Sequence, residues 1–84
     1  MSKKSVSRII GTRIAIARKS KNWEQKDLAI AVNISQAHLS RIESGKRGLS
    51  AQLLFAIALA LEIDERDLNP YRSINIWGNP KLPI

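Results

Sequence analysis

The stretch Gln25–Ser44, QKDLAIAVNISQAHLSRIES, decides the fold of this 84-residue chain. Its larger apolar residues recur at a spacing that gives two short helices one buried face each. They are Leu28, Val32, Ile34, Leu39 and Ile42. Ala29 is small enough to let two helix backbones approach, and Asn33 is among the residues that tolerate the positive φ of a tight turn. The stretch therefore predicts two helices that cross near a right angle, a helix-turn-helix.

The outward face of the second of these helices, residues 36–43, carries no acidic side chain. The helical wheel turns Leu39 and Ile42 inward and leaves small or hydrogen-bonding side chains on the opposite arc. That arc holds Gln36, Ala37, Ser40, Arg41 and Ser44. An ordinary solvated helix more often carries Glu and Lys pairs, whereas a helix that enters the DNA major groove needs this kind of surface. The pattern predicts a recognition helix at 36–43 within the motif 25–44.

Further helices are predicted on both sides of the motif. Apolar periodicity and Ser or Asp caps place five helices along the chain. Their predicted bounds are 5–21, 25–32, 36–43, 51–61 and 65–68. Asn69-Pro70 ends the last one, and the remaining residues contain Gly78, Pro80 and Pro83. We therefore expect an all-α chain, a compact five-helix bundle over residues 1–69 followed by an extended C-terminal tail at 70–84.

Charge and composition exclude several classes of protein. The chain has 14 Lys and Arg against 7 Asp and Glu, a net charge of +7, and the excess lies within residues 1–47. A basic half suits a polyanionic partner. No apolar run approaches the roughly 20 residues that span a bilayer. The chain has no cysteine and a single histidine, and it shows no catalytic or metal-ligand set. We expect neither an enzyme nor a cofactor, metal or small-molecule effector, and the cytoplasm is the default location.

These residues resemble the Cro/repressor-type (phage repressor-like, XRE) helix-turn-helix family. The similarity covers roughly residues 9–68, and its most specific part is the run SRIESGKR at residues 40–47. Ile10–Ile14, Trp23–Gln25 and the apolar positions of the motif follow the same pattern. The resemblance implies a five-helix domain that binds double-stranded DNA, usually as a homodimer on a partly palindromic operator.

The same resemblance implies roles for individual residues. Those expected to contact base edges are Gln36, Ala37, Ser40 and Arg41. Those expected to contact phosphates are Gln25, Lys26, Ser35, His38, Lys46 and Arg47. Arg18 and Glu43 match a pair that forms an internal salt bridge. Because Ala37 offers no polar reading group, specificity is expected mainly from Gln36 and Arg41. Arg41 is equally suited to a phosphate, and plain solvation is the alternative for His38.

The fourth predicted helix is apolar on almost every side. Its outward positions are Leu53, Phe55, Ala56, Leu59 and Ala60. A small domain does not cover both sides of such a helix, so either residues 70–84 pack on it or they and the helix contribute to a dimer. We expect a homodimeric regulator of transcription, a repressor or controller protein. The alternative is an antitoxin-like or other protein-interaction module that docks a partner protein through this helix and the tail.

Overall fold

The computed structural model describes the backbone of residues 3–69 and the side chains of residues 6–69, and this part of the chain forms five α-helices without a strand. The helices are α1 (Lys3–Ser20), α2 (Gln25–Ala31), α3 (Gln36–Glu43), α4 (Ala51–Leu61) and α5 (Glu65–Leu68). The predicted all-α architecture is confirmed. α3, α4 and α5 have the predicted bounds, whereas α1 begins two residues earlier than predicted and α1 and α2 each end one residue earlier. The predicted tail, residues 70–84, lies outside the described residues.

Side-chain hydrogen bonds support the starts of four helices. Ser35 caps α3, Ser50 caps α4 and Asp64 caps α5. Each side chain accepts a hydrogen bond from a backbone N–H in the first turn of its helix, at 2.9–3.0 Å. These bonds satisfy N–H groups that have no partner inside the helix. At the start of α2 the Asp27 carboxylate accepts from the backbone N–H of Glu24 at 2.8 Å. Asp27 therefore supports a helix start at which the sequence offers only a glutamate cap.

Left-handed backbone conformations shape the connections. Asn33 has φ 60°, as the turn of the motif requires, and Asn22 has φ 61° after α1. Glu62 also adopts φ 60° at the end of α4, where the sequence pattern predicts no such residue. Its carboxylate accepts from Lys21 Nζ at 3.0 Å, which joins the ends of α4 and α1.

One apolar core connects all five helices. Its fully buried members are Ile14, Leu28, Leu39, Ile42, Ile57 and Leu68. Val32 and Ile34, predicted to line the same interface, are half-buried and pack at its edge. α3 contacts both α1 and α2, so its inner side is held while its outer side stays free. Within residues 3–69, no helix is long and apolar enough to cross a membrane.

Candidate nucleic-acid interface

The outer face of α3 forms an exposed surface without acidic groups. The four residues predicted to contact bases are all exposed on it: Gln36, Ala37, Ser40 and Arg41. Leu39 and Ile42, on the inner face, are 0% and 1% exposed. Glu43, the acid of this helix, is turned toward α1. The packing of two leucine-sized side chains thus holds the orientation of α3 and determines which side chains face solvent.

The residues predicted to contact phosphates divide by exposure. Lys26, Ser35, Lys46 and Arg47 are exposed, whereas His38 and Gln25 are half-buried. Ser35 Oγ accepts from the backbone N–H of His38 at 3.0 Å, so this hydroxyl also serves as the helix cap. Their role as phosphate contacts stays a prediction.

The loop after α3 folds back over the end of that helix. The backbone N–H groups of Lys46 and Arg47 both donate to the Arg41 carbonyl oxygen, at 3.0 and 3.2 Å. Gly45 permits this with φ 80°, a conformation that residues with a Cβ rarely adopt. The loop therefore brings three basic residues together at the C-terminal end of α3.

A buried ion pair joins α1 to α3. Arg18 donates from Nε to Glu43 Oε2 at 2.8 Å and from Nη2 to Oε1 at 3.1 Å. The two side chains are only 8% and 6% exposed. Arg18 also donates from Nη1 to the Trp23 carbonyl oxygen at 2.7 Å, and Gln25 Nε2 donates to Glu43 Oε1 at 3.0 Å. The network thus links three segments of the chain: α1, the start of α2 and the end of α3.

Gly11 is a structural requirement that the sequence analysis did not identify. A Cβ at this position would collide with the Ile42 carbonyl oxygen and lie 2.8 Å from that of Glu43. The glycine therefore lets α1 contact the backbone of the recognition helix. A glycine inside an otherwise regular helical pattern was the available signal.

The apolar residues predicted for a dimer or tail contact are not equally exposed. Phe55 and Leu59 are 53% and 61% exposed, whereas Leu53, Ala56 and Ala60 are half-buried. Leu53 and Ala60 pack against the core of their own chain. The outward apolar surface of α4 is therefore narrower than the sequence indicated.

Two other features have structural explanations. Trp23 is half-buried against the core, and Lys21 Nζ lies 5.3 Å from its ring centroid. At the start of α5, the guanidinium of the exposed Arg66 donates to the Asp64 carboxylate, and this hydrogen bond together with the negative charge of Asp64 raises the pKa of Arg66. Within the described residues, no cluster of His, Asp or Glu side chains has the composition of a metal site.

Solved structures with the same fold come from bacterial regulators. The restriction-modification controller protein C.AhdI from Aeromonas hydrophila superposes with a TM-score of 0.73 at 26% identity, over 76% of this chain and 97% of that one. The clp gene regulator ClgR from C. glutamicum superposes with a TM-score of 0.72 at 27% identity, over 75% of this chain and 82% of that one. The hypothetical transcription factor NHTF from Neisseria superposes with a TM-score of 0.73 at 18% identity, over 86% of this chain and 85% of that one. This similarity shows that the two proteins share a fold.

A family model provides the assignment at the level of sequence. None of the curated proteins matches the chain significantly. The model HTH_3, described as helix-turn-helix, matches residues 14–68, which is more than half of the chain and includes the motif 25–44. The residues matched by the family model, the exposed face of α3 and the regulators of similar structure all indicate the same kind of protein. The chain therefore belongs to the XRE-type helix-turn-helix family of DNA-binding regulators of transcription.

Proposed function

We propose that this chain binds a specific, partly palindromic operator in double-stranded DNA as a homodimer, and that it acts as a repressor or controller of transcription in the cytoplasm. The observation that carries the proposal is the outer face of α3, which is exposed, free of acids and held by buried residues on its inner side. A helix of this kind fits the major groove, where hydrogen-bonding side chains distinguish base pairs.

Specificity and affinity are assigned to different residues. On α3, Gln36 suits adenine and Arg41 suits guanine, since each offers two polar groups in a plane. Lys46 and Arg47 lie beside this helix without an acid partner among the described residues and are assigned to phosphates. Phosphate contacts release bound cations, so affinity is expected to fall steeply with salt concentration.

Selection of bound duplexes from a random pool tests the proposal directly. The expected result is a single enriched motif with two inverted half-sites whose centres are about one helical turn apart. A pool that remains random after repeated rounds would contradict specific binding, and one unpaired half-site would contradict the dimer.

Arg41→Ala is expected to relax the preference for one base pair in each half-site. A bidentate contact to guanine contributes about 1–3 kcal/mol of discrimination, which is about 5- to 150-fold in relative affinity. Competitive binding to duplexes that differ at one position measures the loss. The control is Arg66→Ala on α5, which removes the same charge from an exposed residue paired with Asp64. An unchanged base preference in the Arg41 variant would assign this side chain to a phosphate instead.

Leu59→Glu is expected to convert the dimer to a monomer. Leu59 and Phe55 are the large exposed apolar residues of α4, and a charge in a buried contact is strongly unfavourable. Light scattering should give twice the 9.4 kDa chain mass for the wild type and the single mass for the variant. Ile30→Glu is the matched control, because Ile30 is an equally apolar residue, 78% exposed, on α2. A variant that remains dimeric would exclude this face of α4 from the contact.

The exposed Phe55 and Leu59 also support a second candidate function, the docking of a partner protein as in antitoxins. The same measurements separate the two. A wild-type chain that is monomeric in light scattering and selects no duplex would favour the interaction module over the dimeric regulator.

A further inference from the structure

The N-terminal half of α1 lies against the loop that follows the recognition helix. A Cβ placed on Gly45 would be 2.8 Å from Arg8 Cα and 3.1 Å from Arg8 Cβ. Three residues later in the loop, a Cβ placed on Gly48 would be 3.5 Å from Ser7 Oγ. The backbone of Arg8 and the side chain of Ser7 therefore lie against the two ends of the segment that carries Lys46 and Arg47.

This contact extends the basic surface around α3. Arg8 and Arg41 are exposed, as are Lys46 and Arg47. Among the residues that the structure describes, none of these four forms an ion pair. The acid nearest to them in the motif, Glu43, is buried and paired with Arg18. We call Arg8, Arg41, Lys46 and Arg47 the basic rim.

Exposed basic side chains without an acid partner leave a positive potential at this surface, and a polyanion that lies along it is attracted. The loop containing Lys46 and Arg47 hydrogen-bonds to the end of α3, so a DNA backbone that flanks the end of the recognition helix passes this rim. Because Cα and Cβ of Arg8 lie against the same loop, its side chain extends from the same edge of the interface.

We propose that Arg8 is a further phosphate contact, so that α1 as well as the helix-turn-helix touches the DNA backbone. The proposal rests on the DNA-binding function proposed above, and it adds a contact that neither α3 nor its loop supplies. Arg8 would hold the backbone without reading sequence, since a phosphate contact is the same for every base pair.

Lys19 provides a matched control on the same helix. It lies 11 residues after Arg8, which is about three helical turns, so both side chains leave α1 on nearly the same side. The two positions are about 16 Å apart along the axis, and Lys19 is at the end of α1, away from the loop. Arg8→Gln and Lys19→Gln therefore remove one exposed charge each, from the same face of one helix.

The experiment measures affinity for a selected operator and for a scrambled duplex between 50 and 200 mM salt. One phosphate contact contributes about 0.9 to the slope of log affinity against log salt. For each bound chain, the ratio of wild-type affinity to Arg8→Gln affinity should therefore fall about 3.5-fold between the lowest and the highest salt concentration. The loss of affinity caused by Arg8→Gln should be the same on the operator and on the scrambled duplex. Arg8→Lys, which keeps the charge, should retain the wild-type slope, and Lys46→Gln should lose as much slope as Arg8→Gln.

The outcomes separate this inference from the proposed function. If Arg8→Gln changes the slope no more than Lys19→Gln while Lys46→Gln lowers it, then Arg8 is not a phosphate contact and the regulator assignment stands. If the wild type selects no operator and Lys46→Gln has no effect, the proposed function itself fails. A loss that Arg8→Lys shares would show that Arg8 acts through packing on the loop, and it would overturn the inference.

Discussion

Arg18→Met should lower the free energy of unfolding by about 3–5 kcal/mol, because it leaves the Glu43 carboxylate buried without its cation. The Glu43 side chain is 6% exposed, and Gln25 Nε2 would be the side-chain donor that remains to it. A neutral amide does not replace two charge-assisted hydrogen bonds in a water-poor site. The Trp23 carbonyl oxygen would also lose its donor from Arg18.

Urea denaturation followed by circular dichroism measures this change, and the double variant Arg18→Met/Glu43→Met is its internal control. Removal of both charges leaves no unpaired ion, so most of the lost stability should return. Arg66→Met, which breaks an exposed pair with Asp64, should have little effect. A single Arg18 variant within about 1 kcal/mol of the wild type would contradict a structural role for the buried pair.

Gly11→Ala should destabilise the fold by about 1–3 kcal/mol, although alanine is the better helix former. Inside a solvent-exposed helix the same change would stabilise by up to about 1 kcal/mol. Here the new Cβ meets the carbonyl oxygens of Ile42 and Glu43, which are backbone atoms and have no rotamer to change. α1 must therefore move away from α3, and the steric cost exceeds the gain in helix propensity.

Thermal unfolding tests this prediction, and Gly48→Ala is a suitable control. The Cβ of an alanine at 48 would have an ordinary contact of 3.5 Å with Ser7 Oγ, so its midpoint should change little. For a domain of this size, each kcal/mol lowers the midpoint by about 4–8 °C. Since α1 positions the recognition helix, the Gly11 variant should also bind the selected operator more weakly than the Gly48 variant. A Gly11 variant with a raised midpoint would show that α1 and α3 separate at no cost.

Much of the fold follows from local sequence. α3 and α4 have their predicted bounds, because Ser35 and Ser50 cap them and because their apolar residues recur at the helical period. Asn33 adopts the left-handed conformation expected of it. The exposed arc of α3 was equally predictable, since burial of Leu39 and Ile42 determines where the rest of an eight-residue helix points. Each of these features depends on residues within one or two turns of the chain.

The contacts between distant segments depended on the tertiary structure. The close approach of Gly11 to Ile42, the hydrogen bond from Gln25 to Glu43 and the contact of Arg8 with the loop at Gly45 join residues far apart in sequence. The same holds for α4, where the sequence shows apolar residues on all sides and packing covers Leu53 but leaves Phe55 and Leu59 exposed. The sequence alone determined the helices, their caps and the acid-free face of α3, because helical periodicity and capping are local. Only the tertiary structure decided which cations share a surface with α3 and which apolar residues remain exposed, because both depend on how separate helices pack.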